Sequence, residues 1–501
     1  MNFQHQFASS WTSPQEREKH FATSLVQWFR SQKQSPVEYL QDLFAHIENT
    51  NPLCNALTSL QKDSALQQAQ KLLKTKMAAQ ELPLYGVPII LKENIQKIDF
   101  PLECGSRLLK GYKGQFNATA VHLLERAGAI FIGTANMDEF AMGSSNEHSC
   151  HGPVKNPHDL KKVSGGSSGG SAAACAAGYA PLSLGSDTGG SVREPAAFCG
   201  IYGFKPSYGR ISRYGLVAYG SSLDQIAPFS RSVCDLDLIL RLLGQPDAQD
   251  PKTLHTPYVS QKHSTDLFKN TTLGVFRSLL KTGIDSNVLE EFYALEDALQ
   301  KRGVTIKDLS MPSSLEHALS VYYIIASAEA SSNLARFDGI RYGQRAAGTK
   351  DLFDLYCKTR GEGFGPEVKR RIMMGTFALS AGHYNAYYGR AQMVRNLMQQ
   401  EFDEIFKSVD FIYSPTAPSS AFDLGSNGCD SLKEYLYDIF TIPANLTGSP
   451  AISMPALLQK SSPKKLPVGL QLMAGREQDA ALIAFAAALE KENLVQTTPF
   501  I

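Results

Sequence analysis

The sequence predicts an α/β sheet protein, on two observations. Short apolar runs of strand length recur along the chain, and segments with helical spacing fill the gaps between them. The strand-like runs are Val87 to Leu91, Ala129 to Ile132, Leu273 to Phe276, Val409 to Tyr413 and Val468 to Met473. Between Thr119 and Ala127, Val121, Leu123, Leu124 and Ala127 are apolar, and Gly128 then stops the helix. Asn287 to Arg302 and Asp479 to Lys491 read as further helices. Tyr322 to Arg336 and Val368 to Phe402 are helical with few strand signals between them, so residues 312–408 are expected to form a helical layer. Residues 1–80 are expected to be an N-terminal helical segment. Loops are expected at Ser426 to Ser431 and Lys460 to Pro467, where Ser, Pro and Lys cluster. A length of 501 residues suits several domains, but no linker divides the chain, so one domain over 1–501 is expected.

Composition removes several function classes. The net charge is +1 and no run of five or six basic residues occurs, Lys464-Lys465 being the nearest cluster. That is not the footprint of a chain that grips nucleic acid directly. The eight cysteines form no Cys-x-x-Cys pair, which suits free thiols in a reducing compartment. His148, Cys150 and His151 lie close together but lack further ligands, so no metal is expected. The N-terminus has no basic stretch followed by an apolar one, and the longest charge-free stretch, Val163 to Ser186, is rich in Gly and Ser. Neither a signal peptide nor a membrane span is expected, and the location is read as cytoplasmic.

Residues 163–204 carry the strongest signal. Val-Ser-Gly-Gly-Ser-Ser-Gly-Gly-Ser precedes an alanine-rich helix, and Leu184-Gly-Ser-Asp-Thr-Gly-Gly-Ser191-Val-Arg follows it. Glycines let backbone N–H groups approach a ligand closely. Thr188, Gly189 and Gly190 before Ser191 therefore read as an oxyanion hole. A phosphate loop would need Gly-Lys-Ser/Thr after the glycines. An aspartic-protease loop at Asp187-Thr-Gly189 would need a second Asp-Thr-Gly. Neither is present. Gly165-Gly-Ser-Ser-Gly169 matches a nucleophile elbow, but Asp159 to Lys162 makes a poor preceding strand. A serine nucleophile needs a base. Lys92, alone at the end of an apolar strand, serves if burial makes it neutral near pH 7. On that segment alone the plainer reading is a snorkelling lysine.

Gly86-Val-Pro-Ile-Ile-Leu-Lys92-Glu-Asn, Gly165 to Ser171 and Gly185 to Gly200 together resemble the amidase signature family over nearly the whole chain. The resemblance implies the amidase signature fold, a large mixed β-sheet flanked by helices on both faces. It implies a Ser-cisSer-Lys triad with Ser191 as nucleophile, Ser167 as bridging serine after a cis peptide at Gly166, and Lys92 as base. Ser168 is the neighbouring alternative to Ser167. Ser164 stands where the family often has Pro.

Within the family, five stretches are similar to the A subunits of the amidotransferases acting on glutamyl-tRNA(Gln) or aspartyl-tRNA(Asn). They are Met137 to Ser145, Ser221 to Gln225, Ala328 to Gly343, Lys369 to Ser380 and Ser414 to Pro418. This likeness implies glutamine as substrate, with Arg371 on its carboxylate, Asp438 on its ammonium and Tyr322 lining the pocket. Guanidinium suits a carboxylate by its planar fork. It also implies a heterotrimer with subunits B and C, no cofactor in this chain, ATP and Mg at the partner, and charged tRNA held mainly by the partner. The alternatives are a stand-alone small-amide amidase and a non-catalytic assembly subunit.

Overall fold

In a computed structural model, residues 21–74, 81–262, 264–281, 283–426, 437–457 and 466–497 are described. The strands up to residue 275 are β1 (Leu57–Leu60), β2 (Pro88–Lys92), β3 (Ile130–Ala135), β4 (Lys155–Asn156), β5 (Asp159–Val163), β6 (Leu182–Asp187), β7 (Tyr202–Lys205), β8 (Gln225–Ser230) and β9 (Thr272–Val275). Four more follow: β10 (Thr305–Asp308), β11 (Phe411–Pro415), β12 (Ala451–Pro455) and β13 (Gly469–Ala474). Among the described residues eleven of these form one sheet, in the order β1-β3-β2-β6-β8-β7-β12-β13-β11-β9-β10. The sheet is mixed: β3, β2 and β6 run parallel, as do β11, β9 and β10, and the remaining neighbours are antiparallel.

All five residues of β2 are buried, as a central strand covered on both faces requires. Lys92 is its last residue and so sits at the carboxyl edge, beside the ends of β3 and β6. Such edges are where α/β sheets bind ligands.

The N-terminal region holds helices α1 (Ala22–Arg30), α2 (Pro36–Cys54) and α3 (Lys62–Lys74). Ser35 and Glu38 cap α2 reciprocally, each side chain accepting from the other residue's backbone N–H. The region is not wholly helical, because Leu57-Thr-Ser-Leu60 pairs with β3 as an edge strand. Residues 1–20 and 75–80 of the expected segment lie outside the described residues. Next come α4 (Thr119–Arg126), α5 (Gly169–Ala176), α6 (Arg193–Cys199), α7 (Val233–Leu243) and α8 (Ser286–Gln300).

The expected helical layer contains α9 (Ala318–Asn333), α10 (Leu352–Gly363), α11 (Pro366–Leu379) and α12 (Arg390–Ile405). The run from Val368 to Phe402 is not continuous. Ser380 leaves the helix with ψ 157°, Gly382 takes φ +84°, and a π-helical turn at Asn385–Gly389 leads into α12. Helices α13 (Ile442–Thr447) and α14 (Asp479–Lys491) complete the chain.

Alternation along β11 shows both faces of the sheet covered. Phe411 and Tyr413 join one core with Phe292 of α8 and Phe485 of α14. Ile412 points the other way, into a second core with Ile325 of α9 and Phe402 of α12.

Asp159–Val163 is a strand after all, but it pairs with β4 in a separate two-stranded ribbon, bridged to Asp423 through Lys162, and not with the main sheet. Its residues alternate poorly because the ribbon is partly exposed. A nucleophile elbow must rise from the main sheet, so that reading fails. Of the two expected loops, residues 427–431 and 460–465 lie outside the described residues. No helix among the described residues is long and apolar enough to cross a membrane.

Candidate active site

Lys92 is fully buried, and its ammonium nitrogen meets three serines. It donates to Ser167 Oγ at 2.7 Å, Ser168 Oγ at 2.8 Å and Ser186 Oγ at 3.0 Å. Burial pushes its pKa down to about 7, against the opposing pull of the Asp138, Asp187 and Asp224 carboxylates. An ordinary lysine with a pKa near 10.4 is neutral in only about 4 molecules in 10,000 at pH 7. Lys92, lowered to about 7, is neutral far more often.

The Gly166–Ser167 peptide is cis, as the family resemblance implied. The two neighbouring serines differ in how their hydroxyls are used. Ser168 Oγ donates to Ser186 O at 3.1 Å and accepts from Ser186 N, so its hydrogen is committed. Among the described residues Ser167 Oγ only accepts, from Lys92, and its hydrogen remains available. Of these two neighbours, Ser167 is the one with a free donor. Among the described residues no hydrogen bond joins Ser167 Oγ to Ser191 Oγ. The loops do meet, since Ser168 N–H donates to Ser191 O at 3.1 Å.

Ser191 sits in the turn between β6 and α6, 7% exposed amid almost completely buried neighbours. The turn is clamped by Asp187 and Arg193, both fully buried. Arg193 donates from Nε to Asp187 Oδ2 and from Nη2 to Asp187 Oδ1 and Asn445 Oδ1. Its Nη1 donates to Thr441 O and Gln471 Oε1. Burial alone would raise the Asp187 carboxyl, but Arg193 outweighs it and holds the pKa at about 2.

The permanent Asp187 carboxylate accepts the N–H groups of Gly190 at 3.0 Å and Val192 at 3.2 Å. Gly190 N–H is therefore engaged in this structure. The N–H groups of Thr188, Gly189 and Ser191 donate to no group among the described residues. Both glycines are required by close neighbours. A Cβ on Gly189 would lie 2.5 Å from the Tyr322 ring, and one on Gly190, at φ +146°, would lie 2.4 Å from Thr441 Oγ1.

The three expected substrate residues come together against this turn. Tyr322 of α9 covers Gly189 and packs edge-on to Tyr323. Arg371 of α11 is 5% exposed and lies over the Tyr323 ring, 5.3 Å from its centroid. Its Nη1 donates to Tyr219 OH at 2.6 Å and its Nε to Glu367 Oε1 at 2.6 Å, while Nη2 makes no hydrogen bond among the described residues. Tyr323 OH donates to Asp438 Oδ2 at 3.1 Å. Asp438 opens the turn leading to Thr441, whose hydroxyl donates to Gly189 O at 2.6 Å. Helices α9 and α11 approach closely because Gly375 lacks a Cβ, which would stand 1.9 Å from Ser327 O.

Tyr219 and Tyr323 were not legible as site residues, since aromatic residues in apolar stretches read as core. Asp224 was also missed. It accepts from Thr188 Oγ1 at 2.7 Å and from Tyr219 N–H at 2.9 Å, tying the Arg371 side to the glycine turn that carries Ser191. Its place in Ser221 to Gln225, a stretch already singled out, was the available signal. His148, Cys150 and His151 do not converge on one point. His151 Nε2 instead lies 3.4 Å from carboxylate oxygens of Glu93 and Glu103, as an ion pair with each.

A buried lysine bonded to a cis serine, beside a glycine turn carrying a second serine, defines a class. The chain belongs to the amidase family, which matches residues 38–483. Among curated proteins it is 47% identical to the A subunit of glutamyl-tRNA(Gln) amidotransferase from Symbiobacterium thermophilum, covering 94% of this chain and 96% of that one. It is 47% identical to the corresponding protein of Deinococcus radiodurans, covering 95% and 98%. The crystal structure of the A subunit of glutamyl-tRNA(Gln) amidotransferase from Thermotoga maritima superposes with a TM-score of 0.76 at 36% identity, covering 98% of this chain and 96% of that one.

Proposed function

We propose that this chain is the glutamine-hydrolysing A subunit of a tRNA-dependent amidotransferase. One observation carries the reading. Arg371 and Asp438, opposite charges that both meet Tyr323, lie beside Tyr322, whose ring covers Gly189 in the turn before Ser191. Free glutamine is a zwitterion, so it needs a cation and an anion at one end and a nucleophile at the other. A generic amidase has no need of the charged pair.

In the proposed mechanism neutral Lys92 takes a proton through Ser167 while Ser191 Oγ attacks the side-chain carbonyl. The uncommitted N–H groups of Gly189 and Ser191, with that of Thr188, hold the oxyanion. Gly190 serves by bonding Asp187 rather than the oxyanion. The proton returns to the leaving nitrogen, the C–N bond breaks, and ammonia departs. Water then cleaves the glutamyl ester and regenerates Ser191. The ammonia would pass to partner subunits B and C, which would hold the ATP and Mg that supply activation of glutamyl-tRNA(Gln), aspartyl-tRNA(Asn) or both. The net charge of +1 suits a chain that leaves tRNA to its partner.

The test is Arg371→Met in the assembled complex. The KM for glutamine is expected to rise roughly 100-fold, the loss of a charge-assisted contact from the uncommitted Nη2. Amidation of charged tRNA with added ammonium is expected to stay unchanged. Equal losses with glutamine and ammonium, or no change in KM, would contradict the reading.

A further inference from the structure

The stretch Met137 to Ser145 marks the subfamily but contributes none of the groups in the mechanism above. Its backbone is unusual. Phe140 and Ala141, neither of them glycine, adopt φ +50° and +63° in succession. Each such residue costs of order 1 kcal/mol, so the surroundings must hold the segment in place. They do so on three sides.

Asp138 faces the serine loop. Its N–H donates to Ser167 O at 3.2 Å, and its carboxylate accepts the N–H groups of Asn146 and His148 at 2.9 and 3.0 Å. A Cβ on Gly166 would lie 2.1 Å from Asp138 Oδ2, so the carboxylate lies directly against the peptide preceding Ser167. Phe140 faces the helical layer, with Phe337 and Phe364 at centroid distances of 5.0 and 5.6 Å.

Glu139 lies between them, 5% exposed. It accepts from Ser106 Oγ through Oε1 and from Gly365 N–H through Oε2, the latter at 2.8 Å. Gly365 is the N-cap of α11, and a side chain there would collide with Glu139 Oε2 at 2.3 Å. The first helical N–H groups have no partner within the helix, so a side-chain acceptor seated at this end satisfies a donor. Arg371 stands about one and a half turns into the same helix.

We infer that Glu139 is a positioning residue: it pins the N-terminus of α11, and so Arg371, to the segment that holds Ser167. One rigid piece, Asp138 to Phe140, then sets the distance between the substrate's carboxylate and the reacting bond. A displaced Arg371 meets the substrate's carboxylate less well, which weakens substrate binding. This inference rests on the glutaminase reading and deepens it.

The test uses Glu139→Ala and Glu139→Gln in the assembled complex, with glutamine as substrate. A fluorophosphonate probe, which carries neither the ammonium nor the carboxylate of glutamine, reports on Ser191. Glu139→Ala is expected to raise the KM for glutamine about tenfold with kcat within about twofold, while the probe labels Ser191 at the unmutated rate. Glu139→Gln, whose amide oxygen still accepts from Gly365, is expected to return KM to within about twofold. An unchanged KM in Glu139→Ala overturns the inference. So does a parallel fall in turnover and labelling, which marks general damage to the serine loop, and so does a glutamine variant no better than alanine. Labelling of Ser191 in an unmutated complex that hydrolyses no glutamine overturns the functional reading and this inference with it. The other adverse results leave that reading standing.

Discussion

Replacing Ser191 with alanine is expected to lower glutamine-dependent amidation by roughly 10⁴- to 10⁶-fold, with ammonium-supported amidation unchanged. The size follows from the division of labour within the site. Ser191 forms the only covalent bond to substrate in the mechanism, and the adjacent N–H groups retain only binding without it. Lys92→Met belongs to the same unit, so the double variant is expected to be no worse than Ser191→Ala alone. Isotopic ammonia release and assays of charged-tRNA amidation on the two nitrogen sources check both statements. Parallel loss with glutamine and ammonium would mean that Ser191 shapes the complex rather than reacts.

In the proposed mechanism the base sets the pH dependence. Lys92 must be neutral to accept a proton, and its pKa is about 7. Glutaminase kcat/KM is expected to rise about tenfold per pH unit below 7 and to level off above it. The folded chain releases this proton near 7 whereas an unfolded lysine keeps it to about 10.4. Lys92 therefore makes the fold more stable as pH rises through that window.

Arg193→Ala is the second large effect, and it falls on stability first. The substitution leaves Asp187 buried without the guanidinium that bonds both its oxygens, Lys205 remaining as a second charge on it. Breaking a buried pair in this way typically costs about 3–5 kcal/mol. Asp187 loses the partner that holds its carboxyl at about 2, so it becomes protonated more readily and no longer fixes the N–H groups of Gly190 and Val192. Because the folded pKa is depressed, this stabilisation is present above the ordinary aspartate value and fades as pH falls toward 2. We expect a clearly lower urea midpoint at pH 7, together with a fall in kcat of at least about 100-fold as the turn loosens. A variant with unchanged midpoint and turnover would show that the clamp does not shape the turn.

The fold class and most element positions were legible because buried strands and amphipathic helices write their periods into local sequence. Thr119–Arg126 and Asp479–Lys491 are helices where spacing placed them. Elements governed by distant partners were not legible. Leu57–Leu60 and Thr305–Asp308 are short, partly exposed edge strands whose pairing, not their composition, makes them strands. The break between α11 and α12 depends on Ser380 and Gly382, which helical spacing alone tolerates.

The same division applies within the site. Lys92, Ser167 and Ser191 stand in motifs whose glycines advertise close backbone approach. Arg193 stands in the same motif yet reads as an ordinary charge, because its partners Gln471, Asn445 and Thr441 lie some 250 to 280 residues away. Sequence also could not divide the glycine turn's N–H groups. That division depends on where the Asp187 carboxylate points, and it assigns Gly190 to Asp187.

The central claim is that Ser191, served by Lys92 through Ser167, is the group that reacts. An electrophilic glutamine analogue, applied to the assembled complex and followed by peptide mass mapping, tests it most directly. One adduct is expected, on Ser191, forming faster as pH rises through about 7 and absent in Ser191→Ala. An adduct on Ser167 or Ser168, or none on a complex that is hydrolysing glutamine, would contradict it.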